Sequence, residues 1–372
     1  MIRSLQVSRG LAALAVVFYH VWLIVAEYSG RRLFESVAAY GLLGVNYFFI
    51  LSGFIIMMAH QKDVDRPGTI PRYLYRRFAR VYPVYWIYLT LYVAAAAIGL
   101  GKPDFSWAPG DLTQSYALFY VAHAQAPPPL NVAWTLFYEV RFYLIFCLLL
   151  LNRRVGIVVL TIWAVAILIL PHQTGYLNYL QSYWNINFLL GMIAFIVSQR
   201  VHPRYWFIFL IVGAASLLAI FTHVDVLTIK GVNGLYIAPI GLAFATIVLG
   251  FVLLEQHRPR PAPPALKFLG DASYSIYLVH SGAISVMVIV AQRLDWLGRL
   301  PDPLLFAFIF IPAVLAGCGA FLAIERPLTR LLRRSKTSSR VTDETPTTIR
   351  IVNQPVDAEN MRQPDRYESR DH

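Results

Sequence analysis

Long apolar runs recur along almost the whole chain, and this repetition restricts the fold more than any other feature. A helix needs about 20 mostly apolar residues to cross the hydrocarbon core of a bilayer. Only 14% of the residues are charged, whereas an ordinary soluble domain has about 25%. The sequence therefore predicts an all-α fold, namely a polytopic integral membrane helix bundle of about ten transmembrane helices.

Ten spans fit this pattern, and the basic residues between them predict their orientation. Before the C-terminal tail, fifteen Lys and Arg lie on the N-terminal side of the predicted membrane and six lie on the other side. Because cytoplasmic loops are enriched in Lys and Arg, both termini are predicted to be cytoplasmic. The approximate span limits are 9–28, 38–60, 81–100, 131–151, 155–171, 183–199, 205–222, 234–255, 271–292 and 303–324.

The chain divides into a predicted transmembrane domain, residues 1–330, and a cytoplasmic tail, residues 336–372. The tail is polar and lacks an apolar period, so it is predicted to be disordered and receives no chemical role. The net charge of +12 comes largely from clusters at membrane boundaries, which argues against a nucleic-acid partner. Cys147 and Cys318 lie in apolar runs without metal-ligand spacing, so we expect neither a metal site nor a disulfide.

The longest predicted outer loop, residues 101–130, combines aromatic and acidic side chains. It contains Asp104, Trp107, Asp111 and His123. Aromatic rings beside carboxylates could hold a sugar, and the alternative is an ordinary interfacial loop. The sequence leaves both interpretations open.

Arg9 and His20 are the first polar pair inside a predicted span. Their separation of eleven residues corresponds to about 20° more than three full helical turns, so both side chains share one face. The rise between them is about 16 Å, which places His20 near the bilayer midplane if Arg9 lies at an interface. Ionisable residues at that depth are candidates for function, and a histidine suits proton transfer. The alternative is a hydrogen-bonded histidine inside the bundle.

A basic stripe precedes the third predicted span. Arg72, Arg76 and Arg80 follow at intervals of four residues, and Arg77 lies next to this stripe. Guanidinium groups can bind phosphate in a bidentate manner, so the stripe is a candidate site for a phosphorylated donor. The alternative is a positive-inside cluster that contacts lipid headgroups.

Glu139 and Arg141 lie inside the fourth predicted span. Residues two apart do not face each other on a helix, so each is expected to find a partner on another helix. Glu139 could orient His20 or stabilise its protonated form. The alternative is a structural ion pair within the bundle.

Six segments, taken together and in order, resemble the membrane acyltransferase-3 family. Their order covers residues 3 to about 330, and among the family's members the chain is most similar to the O-acyltransferases that modify exopolysaccharides. The segments are Arg9 with His20, Phe48–Phe54, Arg77–Pro83, Trp134–Glu139 with Phe142–Leu144, Ser273–His280 and Glu325–Pro327.

This resemblance implies an enzyme of the bacterial inner membrane. Such an enzyme transfers an acyl group, usually acetyl, from cytoplasmic acyl-CoA to a hydroxyl of an exopolysaccharide, a cell-envelope glycan or a lipid-linked precursor. It implies that His20 is catalytic with Arg9 as its motif partner, and that Arg77 and Arg80, with help from Arg76, bind the donor phosphates. The implied partners are the lipid bilayer, the carbohydrate acceptor and the polysaccharide biosynthesis machinery.

The resulting hypothesis makes His20 a general base that takes a proton from the acceptor hydroxyl, with Glu139 orienting it. A covalent acyl-histidine intermediate remains the other chemical route. Arg141 departs from the family pattern and would either alter the acceptor pocket or neutralise Glu139. Two other classes of function stay open: a proton-coupled transporter or flippase that uses His20 and Glu139, and a scaffold that recruits partners through its tail.

Overall fold

The structure, a computed structural model, describes residues 2–29, 35–99, 105–119, 128–170, 176–224 and 236–332. Met1–Arg330 forms one compact unit, and the predicted tail, residues 336–372, lies outside the described residues. Within those ranges the chain is helical and has no strand. Its ten long helices are α1 (Arg3–Ser29), α2 (Gly44–His60), α3 (Ile70–Ala97), α4 (Trp134–Leu151), α5 (Arg153–Ile169), α6 (Trp184–Ser198), α7 (Trp206–His223), α8 (Ile237–His257), α9 (Pro264–Arg293) and α10 (Asp302–Ala320).

Eight helical segments in the described part of the chain are long and apolar enough to cross a membrane. They contain α1, α2, α4 and α6 to α10. The helix α5 has only 17 residues, and α3 combines arginines with many tyrosines, which lowers its hydropathy. The all-helical membrane fold is thus confirmed, whereas the count of ten spans and the cytoplasmic termini stay predictions.

Two helices extend beyond the apolar stretches that identified them in the sequence. The helix α3 begins at Ile70 rather than near residue 81, and α9 begins at Pro264 rather than near residue 271. Their first turns are polar on the exposed face, so a search for apolar runs does not recognise them. As a result, the basic stripe from Arg72 to Arg80 belongs to the same rigid helix as the apolar half of α3.

The helices α2 and α6 cross where two glycines face each other. A Cβ atom on Gly53 would collide with the carbonyl oxygen of Phe188, and a Cβ atom on Gly191 would collide with that of Ile50. Small residues let membrane helices approach closely enough for their backbones to touch. This crossing fixes the position of α2, which contributes one wall of the cavity described below.

The helices α1 and α9 also meet at glycines. A Cβ atom on Gly10 would lie 2.8 Å from the backbone nitrogen of Gly270. His20 and His280 each lie ten residues further along their helices, a rise of about 15 Å. Their rings meet with centroids 5.0 Å apart. The close crossing therefore brings the two histidines together.

Candidate functional site

A cavity of about 90 Å³ lies between α1, α2, α3, α4 and α9. Its lining is mostly apolar and aromatic, with a small set of charged groups. The residues with polar side chains that line it are Arg9, Ser52, Arg77, Arg80, Thr135, Glu139, Tyr143, Ser273, Tyr274 and Tyr277. Apolar cavities with a few convergent polar groups are the usual form of a site for a small molecule.

The cavity has two chemically different ends. At the first, which we name the arginine end, Arg77 and Arg80 line the cavity and Arg80 is exposed. Another part of the lining consists of Phe48, Thr135 and Tyr277, which we name the tyrosine wall. Thr135 and Tyr277 are buried. A ligand with a charged group and an apolar arm would enter at the arginine end and extend toward the tyrosine wall.

Arg77 is held in place by a chain of side chains from α2 and the following turn. His60 donates from Nδ1 to a carboxylate oxygen of Asp63 at 2.8 Å, so its Nε2 accepts from the Arg77 guanidinium at 3.2 Å. The Arg77 guanidinium also lies 5.8 Å from the ring centres of Tyr73 and Tyr143. The buried Arg77 Nε–H has no partner among the described residues. A positioned guanidinium with a donor to spare suits an anion.

Arg9 lines the cavity among charges of both signs. The carboxylates of Glu139, Glu325 and Asp271 attract it, while the nearby Arg80 repels it. The cationic side chains at this end therefore share a limited set of carboxylates. An entering phosphate group would relieve the repulsion between guanidinium groups and gain charge-assisted hydrogen bonds.

Glu139 finds its partner on another helix, as its position in the sequence indicates. Ser52 of α2 donates to Glu139 Oε1 at 3.2 Å, and the Tyr143 hydroxyl donates to the same oxygen. His20 is not among the hydrogen-bond partners of Glu139 within the described residues. The structure thus joins Glu139 to the arginine end, and the expected orientation of His20 by Glu139 is not what the geometry provides.

His20 is not among the residues that line the cavity, and His280 links its ring to that of Tyr277. Its Nδ1 donates to the carbonyl oxygen of Val16 at 2.9 Å, because a carbonyl can only accept. In the neutral ring Nε2 therefore carries the lone pair, which is what a general base needs. The ring also contacts that of Tyr19, with centroids 5.1 Å apart. This arrangement makes His20 a base with a fixed tautomer.

His280 is the fully buried neighbour of His20. Its Nδ1 donates to the carbonyl oxygen of Tyr277 at 2.6 Å, so its Nε2 also carries a lone pair. Within the described residues this Nε2 has no hydrogen-bond partner. Two imidazoles with the same tautomer therefore lie side by side at this end of the bundle.

A further buried network lies behind the cavity. The Ser275 hydroxyl donates to Glu325 Oε2 at 2.5 Å and lies 3.0 Å from the Tyr88 hydroxyl. Glu325 ends a π-helical turn, Phe321–Glu325. Such turns insert one extra residue into a helix and often occur at functional sites. Here the turn ends at Glu325, whose carboxylate is attracted by Arg9 and Arg80.

Two basic residues singled out in the sequence do not reach the cavity. Arg76 is exposed and is absent from the cavity lining. Arg141 is buried against aromatic rings, with its guanidinium 5.7 Å from the ring centre of Tyr138 and 5.5 Å from that of Tyr179. Arg141 therefore neither lines this cavity nor pairs with Glu139 in the described structure.

The predicted outer loop, residues 101–130, is described only in part. Asp111 is buried near the start of a short helix, Pro109–Ala117, and accepts from the Ser106 hydroxyl at 2.5 Å. Trp107 is exposed. Asp104 and His123 lie outside the described residues, so the sugar-binding interpretation of this loop stays a prediction.

Sequence reasoning missed three tyrosines that shape the site. Tyr143 lies four residues after Glu139, which places both on one helical face, and this spacing could have identified it. Tyr274 and Tyr277 lie in the family segment Ser273–His280, and no separate role for them follows from the sequence. Tyr274 reaches across the cavity to the carbonyl oxygen of Val81 at 3.0 Å, a contact between distant segments that no local pattern indicates.

The sequence matches known proteins along most of its length. Residues 2–323 match a family described as an acyltransferase domain, acyltransferase 3. The exopolysaccharide production protein ExoZ of Rhizobium meliloti (strain 1021) is 29% identical over 306 residues, which cover 78% of this chain and 90% of that protein. A protein of Acidianus two-tailed virus, named "Putative acetyltransferase ORF330", is 27% identical over 287 residues, or 73% of this chain and 80% of that protein. No solved structure matches the chain significantly.

Proposed function

Because the chain belongs to the acyltransferase-3 family of membrane proteins, we propose that it is an O-acyltransferase that moves an acyl group from acyl-CoA to a carbohydrate hydroxyl. We propose acetyl as the acyl group. The acceptor would be an exopolysaccharide, a cell-envelope glycan or a lipid-linked precursor, in keeping with the similarity to ExoZ. The protein would lie in the bacterial inner membrane with both termini in the cytoplasm.

One observation carries this proposal. The lining of one cavity includes the guanidinium groups of Arg77 and Arg80 and the side chain of Tyr277, whose backbone carbonyl binds His280, the ring neighbour of His20. A coenzyme A thioester has the same order of groups, with phosphates at one end and a reactive carbonyl at the end of a narrow arm. The phosphates would bind Arg77 and Arg80 at the arginine end, and the thioester would approach the tyrosine wall.

The chemistry would then take place near His20. Its Nε2 takes the proton of the acceptor hydroxyl as the oxygen attacks the thioester carbonyl. The carbon–sulfur bond breaks, and the sulfur of coenzyme A receives the proton from His20. The Val16 carbonyl holds Nδ1–H throughout, so the ring presents the same nitrogen for both proton transfers.

Arg9 and Glu139 have supporting roles in this scheme. Both line the cavity and lie close to the guanidinium groups of the arginine end. Glu139 attracts Arg9 and accepts from Tyr143 and Ser52. We propose that it keeps the guanidinium groups of the arginine end in place when no donor is bound.

The acceptor can be identified by mass spectrometry of exported and envelope glycans. We would compare cells that contain the wild-type protein, cells that contain His20→Ala, and cells that lack the gene. The proposal predicts an acyl modification only in the first, and fragmentation would locate it. Identical glycans in all three would contradict a role in carbohydrate acylation.

A further inference from the structure

The tyrosine wall is built from three helices and fixed by hydrogen bonds. Tyr277 donates through its hydroxyl either to Thr135 Oγ1, 3.1 Å away, or to the carbonyl oxygen of Val132, 3.3 Å away. Its ring packs edge-on against Phe48, with centroids 5.8 Å apart. Only 8% of Tyr277 is exposed. The side chain is therefore held across the end of the cavity.

The same tyrosine has different neighbours on its two sides. Phe48, on one side, lines the cavity together with Tyr277. On the other side the rings of Tyr277 and His280 have centroids 5.7 Å apart, and His280 contacts His20. The Tyr277 ring thus belongs to the lining of the proposed donor cavity and also contacts His280, the ring neighbour of the proposed base.

We infer that Tyr277 is the selectivity residue of this enzyme and limits the acyl groups it transfers to short ones. The inference rests on the proposed function and deepens it. The thioester carbonyl must come near His20, and Tyr277 is the lining residue that His280 links to His20, so the acyl group lies against the Tyr277 ring. Each added methylene would meet this ring or push the carbonyl back toward the arginine end.

The expected size of the effect follows from how pockets discriminate chain length. One methylene more or less in an apolar pocket changes kcat/KM by about 10-fold to 200-fold. Replacing tyrosine by alanine removes the whole ring and opens space for several methylenes. The ratio of kcat/KM for hexanoyl-CoA to that for acetyl-CoA should therefore rise by at least about 10-fold in Tyr277→Ala.

The experiment measures acyl transfer by purified protein in proteoliposomes, with acetyl-, propionyl-, butyryl- and hexanoyl-CoA as donors. The variants are Tyr277→Ala, Tyr277→Phe and Tyr85→Ala. Tyr277→Phe keeps the ring and should keep the preference for short chains. Tyr85 is equally large and buried and bonds the carbonyl oxygen of Ser115 at 2.8 Å, outside the cavity lining. Tyr85→Ala therefore controls for the loss of a buried tyrosine.

A higher hexanoyl-to-acetyl ratio in Tyr277→Ala, with unchanged ratios in the other two variants, would support the inference. An unchanged ratio in folded Tyr277→Ala would overturn it. If that variant does not fold, Phe48→Ala opens the same wall from α2, and an unchanged ratio there would overturn the inference instead.

The inference and the proposed function can fail separately. Wild-type protein that transfers no acyl group from any donor would contradict the proposed function. The wall would then be tested by direct binding of the four acyl-CoA compounds. Affinity that falls with acyl chain length in the wild type, and recovers in Tyr277→Ala, would support the inference that Tyr277 limits acyl length. Affinity independent of chain length would overturn this inference.

Discussion

The arginine end of the cavity and the histidine pair at the opposite end use ionisable side chains in contrasting ways. At the arginine end, fixed charges of both signs surround the cavity, with Arg9 close to the carboxylates of Glu139 and Glu325. At the other end, His20 and His280 each bind a backbone carbonyl through Nδ1 and contact each other through their rings. Fixed guanidinium groups suit the binding of an anion, and imidazole lone pairs suit the transfer of a proton.

This contrast agrees with our proposal that donor binding and chemistry occupy separate places in the protein. Changes at the arginine end should then act mainly on the KM for the donor. Changes at the histidine pair should act mainly on kcat. The following variants test that division, beginning with the largest expected effect.

Replacing His20 should have the largest effect. We expect His20→Ala to lower kcat by about 10²-fold to 10⁴-fold, the usual contribution of a general base, with little change in the KM for acyl-CoA. The measurement is steady-state transfer with labelled acetyl-CoA. The exposed His223, at the end of α7, provides a control, since His223→Ala should behave like wild type. Full activity in folded His20→Ala would contradict the proposed role of His20 as the general base.

The second variant tests the arginine end alone. Hydrogen bonds to charged groups contribute about 1.5–3 kcal/mol, so Arg77→Ala should weaken binding of acyl-CoA by about 10-fold to 150-fold. Arg76 lies beside it in sequence but is exposed and outside the cavity lining, so Arg76→Ala is the matched control. Equal losses of affinity in Arg77→Ala and Arg76→Ala would contradict the claim that the donor binds through the arginines that line the cavity.

A substitution at the crossing of α2 and α6 should affect the arginine end and the histidine pair together. Gly53→Ala forces a methyl group against the carbonyl oxygen of Phe188, and overpacking of this kind costs about 1–3 kcal/mol. We expect a lower melting temperature in detergent and a loss of activity at elevated temperature. A methyl group at Gly282 meets no atom within 4 Å, so Gly282→Ala should melt like wild type. Equal melting temperatures would contradict the close crossing of α2 and α6.

The variant with the smallest expected effect distinguishes most clearly whether Glu139 acts on the arginine end or on His20. Glu139→Gln keeps a hydrogen-bond acceptor for Ser52 and Tyr143 but removes the charge, so the KM for acyl-CoA should change by about 2-fold to 10-fold. The pH dependence of kcat should keep its midpoint, because Glu139 contacts the arginine end. The exposed Glu27 offers the control Glu27→Gln. A shift in the midpoint of the pH dependence of kcat in Glu139→Gln would instead support the sequence-based prediction that Glu139 acts on His20.

Hydrophobic patterning and motif order predicted the class of fold and the family correctly. Apolar runs determine membrane helices strongly, because every backbone polar group in lipid must be bonded within a helix. The same reasoning defined only the apolar part of α3, since the amphipathic first turns of this helix have no apolar run. It also left the number of spans open at α3 and α5.

The partners of the site residues were harder to predict than the residues themselves. The sequence identified Arg9, His20, Arg76, Arg77, Arg80 and Glu139, and all but His20 and Arg76 line the cavity. It assigned Glu139 to His20 because both are ionisable and buried, but which helices meet is decided by crossings such as that of Gly10 with Gly270. Contacts between distant helices depend on packing, which a local pattern does not contain.

The central claim is that this protein transfers an acyl group by using His20 and the cavity that Arg77 and Arg80 line. It is tested most directly with purified protein in proteoliposomes, labelled acetyl-CoA and the acceptor glycan identified by mass spectrometry. The account predicts label on the glycan with wild-type protein, a loss of kcat in His20→Ala and a loss of donor affinity in Arg77→Ala. Transport of the glycan or of a small molecule without consumption of acetyl-CoA would contradict it.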